Sequence, residues 1–347
     1  MRYAQLGRTG VQVSRIALGG GFFGTRLDQV ESSRILDRAL DLGINVVDTA
    51  ESYLRPEPNA SETILGELLH GSRDEVFLCS KVGPNRFWET EPANRGLNRR
   101  VIVQAVEGSL KRLQTDHLDL LYLHEPDPET LLEETLGAVD DLIRAGKIRY
   151  LGLSNFPASQ VVEALWIADR RNLRRVAATQ DLYNLFERAN EHDLYPTCIT
   201  HGIGAMAYAP LGGGLLTGKY TPEMVSGATA IPEGTRASYY GQPTDDFAPA
   251  SSSPRLTEGT VAAVARVSEW ADNRGHTVAE VALAWALGEP AVTSVVLGVT
   301  TVVQLEANVL ALDLELSPDD RKEIADLVGR DVANVVRPLM RSRRVDD

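Results

Sequence analysis

Residues 118–154, LDLLYLHEPDPETLLEETLGAVDDLIRAGKIRYLGLS, contain the pattern from which the fold class follows. Two short apolar runs, Leu118–His124 and Tyr150–Ser154, flank a segment of helical periodicity over Glu129–Ala145. The apolar runs have the length of buried strands, and the periodic segment has the pattern of an amphipathic helix. A helix that joins two strands in this way makes them parallel, so the stretch predicts one strand–helix–strand unit of a parallel sheet.

The same unit recurs along most of the chain. Strands are predicted after a hairpin within residues 1–20 and at 45–48, 76–81, 118–124, 150–154, 177–182, 204–208 and 294–297. Helices are predicted at 30–42, 61–69, 100–113, 129–145, 158–168, 190–201, 261–274, 278–287, 302–311 and 318–328. Eight strands alternating with helices in 347 residues favour a closed (β/α)8 TIM barrel over an open sheet. We therefore predict an α/β protein with a single barrel domain over residues 1–347.

Two segments depart from this alternation. The opening MRYAQLGRTGVQVSRIALGG predicts an N-terminal β-hairpin, with residues 7–10 as its turn, and then the first barrel strand. Residues 221–254 are rich in Gly, Pro, Ser and Thr and follow the seventh strand, so we predict a long βα loop with little regular structure. Loops of this kind lie at the C-terminal face of a TIM barrel, where active sites are built.

Composition and charge exclude several classes of protein. The formal net charge is −13, and an acidic surface repels phosphate backbones, which argues against nucleic acid and anionic membranes as partners. No segment has the apolar length of a transmembrane helix or a signal peptide, so we expect a cytoplasmic protein. Cys79 and Cys198 form no CxxC pair and are expected to be core residues, and no metal site is expected.

The predicted strand ends carry a set of residues suited to proton transfer. Asp48, Lys81 and His124 end the second, third and fourth strands, and Tyr53 follows Asp48 in its loop. Because these strand ends share one rim, the four side chains are expected to converge there. A lysine beside a phenol favours the phenolate and so tunes Tyr53 to donate a proton to a carbonyl oxygen.

Several motifs in this order resemble the aldo-keto reductase superfamily, in particular the branch with potassium-channel β subunits and sugar-reductase-type members. They are DTAESY, CSKVG, LDLLYLHEPDP, LGLSNF, TQDLYNLFER and AYAPLGGGLLTGKY, and the resemblance covers about the whole chain. It implies that Asp48, Tyr53, Lys81 and His124 are the catalytic tetrad, with Tyr53 as general acid, Asp48 and Lys81 as its tuners, and His124 as the group that orients the carbonyl.

The resemblance also implies a nicotinamide cofactor. The residues that it assigns to cofactor binding are Gly20, Asp48, Ser154, Asn155, Gln180, Tyr208, Ala209, Leu211, Gly213, Lys219, Arg236, Gly298, Thr300, Gln304 and Asn308. NADP(H) is favoured because Lys219 and Arg236 offer positive charge to a phosphate. NAD(H) is the alternative, since Thr300 and Ala307 stand where many members carry a basic and an acidic residue.

These observations predict an NAD(P)H-dependent enzyme that reduces an aldehyde or ketone, including sugar-like ones, to an alcohol. The alternatives are an NAD-dependent sugar dehydrogenase and a cofactor-bound interaction subunit without significant turnover. The partner is expected to be a small carbonyl compound or sugar, and the sequence does not indicate an oligomeric state. The substrate pocket is assigned to the loops that carry Phe22, Phe23, Trp88 and Glu125 and to the insertion at residues 221–254.

Overall fold

A computed structural model describes residues 1–53, 59–83, 92–233, 235 and 256–329. Its strands are β1 (Tyr3–Gln5), β2 (Gln12–Ser14), β3 (Ile16–Gly19), β4 (Val46–Asp48), β5 (Phe77–Val82), β6 (Leu118–Leu123), β7 (Ile148–Ser154), β8 (Val176–Leu182), β9 (Gly204–Tyr208) and β10 (Val292–Leu297). Its α-helices are α1 (Gln29–Asp41), α2 (Ala60–Leu68), α3 (Arg99–Arg112), α4 (Leu132–Arg144), α5 (Ala158–Arg171), α6 (Leu194–His201), α7 (Pro222–Val225), α8 (Glu258–Asp272), α9 (Val278–Leu287), α10 (Val302–Val309) and α11 (Pro318–Val328).

The eight strands β3 to β10 form a closed barrel in the order β10-β3-β4-β5-β6-β7-β8-β9. The neighbouring pairs are parallel, as in the register of Lys81 with Tyr122 between β5 and β6, and of Ala17 with Val296 where β3 meets β10. The predicted (β/α)8 architecture is therefore confirmed. Closure pairs each barrel strand on both sides and leaves no exposed sheet edge.

The predicted N-terminal hairpin is also confirmed. β1 and β2 pair antiparallel, with Tyr3 opposite Ser14 and Gln5 opposite Gln12. Gly7 and Gly10 in the turn have φ values of 53° and 83°, a region that favours glycine over residues with a side chain. The turn sequence thus determines where the chain reverses.

Strands such as β5 and β6 are buried along their whole length, because side chains on one face fill the barrel and those on the other meet helices. Inside the barrel, the fully buried ring of Tyr122 lies against the backbone of β7. A Cβ atom on Gly152 would stand 2.4 Å from that ring, so glycine is what makes room for it. A large side chain on β6 is thus accommodated by a residue without a side chain on the neighbouring strand β7.

The helices begin later than predicted in two places, for the same physical reason. α4 begins at Leu132 because the Asp127 carboxylate accepts hydrogen bonds from the Glu129 amide (2.9 Å) and the Thr130 hydroxyl (2.7 Å), which holds this segment in a turn. α6 begins at Leu194, after Asp193, whose side chain accepts from the Leu194 amide at 2.6 Å. Short polar side chains compete with helix formation in this way.

The described chain groups into two compact units. The first contains Met1–Asp181, His192–Met206 and Pro290–Glu306, and with them most of the barrel strands. The second contains Leu182–Glu191 and the described parts of 207–289 and of the chain from 307 onward. In the second unit Trp285 stacks on Tyr183 with ring centroids 5.3 Å apart and donates to the Arg321 carbonyl at 3.0 Å. A single domain over 1–347 stays a prediction.

The insertion at residues 221–254 is described only in part. It opens with the four-residue helix α7, whereas 234 and 236–254 lie outside the described residues. Within the described residues, no helix combines the length and the apolar character that crossing a membrane requires.

Candidate active site

A buried ion pair forms the centre of the site at the C-terminal ends of β4 and β5. The Lys81 ammonium lies 2.6 Å from Asp48 Oδ2 and also donates to the Thr49 carbonyl at 2.9 Å. Asp48 is fully buried, and Lys81 is 1% exposed. An ion pair taken out of water in this way persists only when its remaining hydrogen-bonding capacity is satisfied, as it is here.

Tyr53 completes this cluster. Its hydroxyl oxygen lies 2.5 Å from Lys81 Nζ, and its hydroxyl donates to Asp48 Oδ2 at 3.0 Å. The ammonium also lies 4.6 Å from the centre of the Tyr53 ring. Three of the four residues predicted to act together are therefore in mutual contact. The cation stabilises the negative charge that develops on the phenol oxygen when its proton leaves.

His124 follows β6 and lies beside Tyr53. Their ring centroids are 6.2 Å apart, with the planes at 76°, and Ser52 Oγ lies 3.4 Å from His124 Nδ1. Removal of the imidazole from bulk water, with the Lys81 charge as a second cause, lowers the His124 pKa to about 3. The ring is therefore neutral near pH 7, and one of its nitrogens carries a proton that it can donate in a hydrogen bond.

Gln180 connects the cluster to β8. Its Nε2 donates to Asp48 Oδ1 at 2.8 Å, so both oxygens of that carboxylate are engaged. The sequence-based prediction placed Gln180 with the cofactor only. In the structure it also fixes the orientation of the carboxylate that anchors Lys81.

Ser154 and Asn155 lie at the end of β7, next to His124. The Asn155 side chain donates to the His124 carbonyl and to Ser154 Oγ, both at 3.0 Å. Its backbone has a φ of 62°, and its amide donates to Asp181 Oδ1 at 3.1 Å. The Asp181 side chain thus holds Asn155 in a left-handed conformation that few residues other than glycine adopt.

The residues assigned to the pocket wall differ in their exposure. Phe22 and Glu125 are partly exposed, whereas Phe23 is fully buried, so of the three described members of this set Phe22 and Glu125 offer surface that a ligand can reach. Trp88 lies outside the described residues. Gly20, assigned to the cofactor, donates its amide to the Asp48 carbonyl at 2.7 Å.

The glycine-rich segment after β9 belongs to the second unit and has an unusual backbone. Positive φ values occur at Ala209, Gly213 and Gly214 (50°, 67° and 92°). A Cβ atom on Gly214 would lie 2.7 Å from Lys219 Nζ, so the exposed ammonium stands directly over bare backbone. Backbone N–H groups in such turns form concave anion sites, which fits a diphosphate group. Tyr208, partly exposed, and Leu211 flank the segment, whereas Arg236 lies outside the described residues.

The segment around Thr300 also has polar groups ordered at a helix start. The Gln304 side chain accepts from the Thr300 amide at 2.9 Å and from its hydroxyl at 3.1 Å. Gly298 lies against the Phe22 ring, which a Cβ atom on that glycine would approach to 3.0 Å. Asn308 belongs to the second unit and is 8% exposed.

Three residues of the site were not singled out from the sequence. They are Thr49, which accepts from Lys81 through its carbonyl; Ser52, which contacts His124; and Asp181, which holds Asn155. A charged residue beside Gln180 in the apolar run of β8 was a signal for the last of them, because buried carboxylates are rare without a partner. Among the described residues, no group of His, Cys, Asp and Glu could hold a metal ion.

Comparisons with known proteins identify the family of this chain. The sequence model of the aldo/keto reductase family matches residues 15–328. The chain is 36% identical to protein tas of Escherichia coli (strain K12), over 93% of this chain and 96% of that protein. It is 34% identical to a probable voltage-gated potassium channel subunit beta of Arabidopsis thaliana, over 90% of this chain and 92% of that protein. It is 31% identical to L-glyceraldehyde 3-phosphate reductase of Escherichia coli O157:H7, over 93% of this chain and 91% of that protein. With the barrel, the buried Asp48–Lys81 pair and a family match over nearly its whole length, this chain belongs to the aldo/keto reductase family.

Proposed function

We propose that this protein is an NAD(P)H-dependent oxidoreductase that reduces an aldehyde or ketone, sugar-like ones included, to an alcohol. The observation that carries the proposal is the buried Lys81 ammonium, held by Asp48 and 2.5 Å from the Tyr53 hydroxyl oxygen. A phenol in this setting is suited to give up its proton, which is what a carbonyl oxygen requires as it becomes an alkoxide.

The roles of the cluster follow from its contacts. Tyr53 donates the proton, and Lys81 stabilises the phenolate that remains. Asp48 neutralises the lysine and orients it, since its second oxygen is held by Gln180. His124, neutral near pH 7, donates a hydrogen bond to the substrate carbonyl oxygen and so orients it without adding charge.

A bound nicotinamide cofactor would supply the hydride. Ser154, Asn155 and Gln180 supply hydroxyl and amide groups at the ends of β7 and β8, which suits them to hold a carboxamide. The run of positive φ values after β9 supports the assignment of that segment to the diphosphate. Gly20, Gly298, Thr300, Gln304 and Asn308 complete the proposed cofactor set.

We propose NADP(H) over NAD(H) because Lys219 and Arg236, the second of which lies outside the described residues, add positive charge for the additional phosphate of NADP(H) in a protein of net charge −13. Dissociation constants for NADPH and NADH, measured by quenching of intrinsic fluorescence, test this choice. Tighter binding of NADH would contradict it and would favour the sugar dehydrogenase.

Replacement of Tyr53 by phenylalanine tests the central role. We expect Tyr53→Phe to lower turnover by at least about 10²-fold, the scale of a lost general acid, with little change in the dissociation constant of NADPH. Tyr3→Phe is the matched control, because Tyr3 is half-exposed and its hydroxyl donates to the Gly43 carbonyl, which follows α1. Turnover of Tyr53→Phe within a few-fold of the wild type would rule out Tyr53 as the acid.

The similarity to channel β subunits favours a second candidate, a cofactor-bound interaction subunit. A steady-state assay with both cofactors and a panel of aldehydes, ketones and sugars separates the candidates. Reduction with NADPH supports the reductase, and oxidation of sugars with NAD supports the dehydrogenase. Cofactor binding without turnover on the whole panel supports the subunit.

A further inference from the structure

A cleft of about 550 Å³ lies at the N-terminal ends of β7 and β8, the opposite ends of these strands from Ser154 and Gln180. It lies within the first unit. Its basic lining side chains are those of Arg8, Arg149, Arg174 and Arg175, and the imidazole of His201 also lines it. None of the lining residues is acidic, although acidic residues outnumber basic ones by 48 to 35 in the whole chain. The cleft therefore has a positive charge, whereas the chain as a whole has a negative net charge.

Two elements fix the edge of the cleft that carries Arg8. The Arg8 amide donates to the Gly202 carbonyl at 2.9 Å, which joins the hairpin turn to the end of α6. A Cβ atom on Gly202 would stand 2.5 Å from Arg8 Cδ, so the aliphatic part of the arginine lies directly on that glycine. Packing therefore restrains the aliphatic part of the Arg8 side chain, so less side-chain conformational entropy is lost when its guanidinium binds a ligand.

The opposite edge is fixed through Arg174. Its amide donates to Asp140 Oδ1 at 2.8 Å, which anchors the backbone between α5 and β8. Asp140 itself is occupied, because its other oxygen accepts from Arg144 Nε at 2.5 Å. The backbone of Arg174 is thus held in place, while its side chain is exposed.

The guanidinium groups of the cleft differ in how they are neutralised. Arg175 lies 3.2 Å from Asp169, and Arg149 lies 3.6 Å from Asp119, which also pairs with Arg73 at 2.9 Å. Among the described residues, Arg8 and Arg174 have no carboxylate oxygen within 4.0 Å. The cleft thus contains two guanidinium groups that form no ion pair among the described residues, Arg8 and Arg174, beside two that do. The Arg174 charge also acts on Asp140, whose pKa it helps to lower.

We propose that this cleft binds a small multivalent phosphate anion, with a diphosphate group as the recognised element. Guanidinium groups bind phosphate oxygens through paired N–H donors, and several of them around one cavity suit an anion with more than one charge. The volume of about 550 Å³ lies within the range of small-molecule sites. The inference does not rest on the proposed reductase activity, since it concerns the other end of the strands.

Isothermal titration of the full chain with sodium diphosphate tests the proposal. We expect saturable binding that weakens with added salt and that falls at least about 10-fold in an Arg8→Gln/Arg174→Gln variant, the loss of two charge-assisted contacts. The matched control is Arg99→Gln/Arg171→Gln, which removes the same charge from exposed arginines elsewhere. A diphosphate bound at any other site would respond equally to both variants.

The outcomes are distinct. The proposal is overturned if diphosphate shows no saturable binding at millimolar concentration, or if the wild type and the Arg8/Arg174 variant bind it equally. An equal loss of binding in both double variants would mean general charge attraction and would also overturn the proposal. Arg174→Lys keeps the charge but loses the paired donors, so an intermediate loss supports direct recognition even if the double variant folds poorly. ADP binding that is tighter than diphosphate binding and is weakened in the Arg8/Arg174 variant would assign a nucleotide as the source of the anion. Tighter binding of diphosphate, weakened in the same variant, would assign the free ion.

Discussion

Replacement of Asp181 by asparagine is expected to make the stability of the protein less dependent on pH. The Asp181 side chain is 4% exposed, and its Oδ1 accepts from the Asn155 amide at 3.1 Å, whereas Oδ2 has no hydrogen-bond partner within the described part of the chain. Burial raises the Asp181 pKa from 3.8 to about 7. Asparagine has the same shape and can accept the same N–H, but it does not ionise.

The magnitude follows from this shift. A rise of about 3 pKa units corresponds to about 4 kcal/mol, at roughly 1.4 kcal/mol per unit. Between about pH 4 and pH 7 the unfolded chain releases this proton while the folded protein keeps it, so the free energy of unfolding decreases as the pH rises. Above about pH 7 both states are ionised, and the contribution is then fully lost.

Urea titrations of Asp181→Asn and the wild type at several pH values measure the effect. We expect the stability difference to shift in favour of the variant by about 2–3 kcal/mol between about pH 5 and pH 8, with most of the change below about pH 7. Asp313→Asn, which alters an exposed residue, is the control and should show no comparable trend. A difference between Asp181→Asn and the wild type that stays constant over this range would refute the assignment of a protonated, buried carboxyl group.

Three further predictions concern the barrel. The His124 ring should remain neutral above about pH 5, because its pKa is lowered to about 3, and a titration near pH 6.5 in ¹⁵N spectra of the ring would contradict this. Glu62→Gln should lower the free energy of unfolding by about 3 kcal/mol, since the fully buried Glu62 holds both Ser80 Oγ (2.6 Å) and Arg112 (2.7 Å). Glu133→Gln, in an exposed pair with Arg171, should cost less than about 1 kcal/mol; equal losses in urea titrations would contradict the role of burial. Gly152→Ala should lower the free energy of unfolding by about 1–3 kcal/mol because the added methyl group meets the Tyr122 ring. Adding Tyr122→Val should restore part of that loss in the double variant. Additive effects in urea titrations would show that the two residues do not compete for one space.

The architecture could be predicted from the sequence because its signals are local. Each strand–helix unit carries its own periodicity, and the β-hairpin turn carries its own glycines at 7 and 10, so no long-range information was needed. The convergence of Asp48, Tyr53 and Lys81 could be predicted for a related reason. Parallel strands bring their C-terminal ends to one rim, and the position of a residue at a strand end then gives its place in the barrel.

Exact helix starts could not be predicted in the same way. The delay of α4 and α6 depends on single aspartate side chains that bond to nearby amides, as Asp127 and Asp193 do. Whether such a side chain caps a helix or holds a turn before it depends on backbone geometry that composition does not specify.

Contacts between residues far apart in the sequence could be identified only in the folded structure. Gln180 donates to Asp48 across 132 residues of sequence, and Arg8 meets Gly202 at the other end of the barrel. Periodicity assigns a side chain to a face of a strand, but burial depends on which elements pack against that face. For this reason Phe23 proved to be fully buried, and Asp181, one residue from Gln180, proved to be a buried carboxyl group that holds Asn155. Local patterns thus specified the elements and their order, whereas the desolvation and charge of each site arose from packing between segments far apart in the chain.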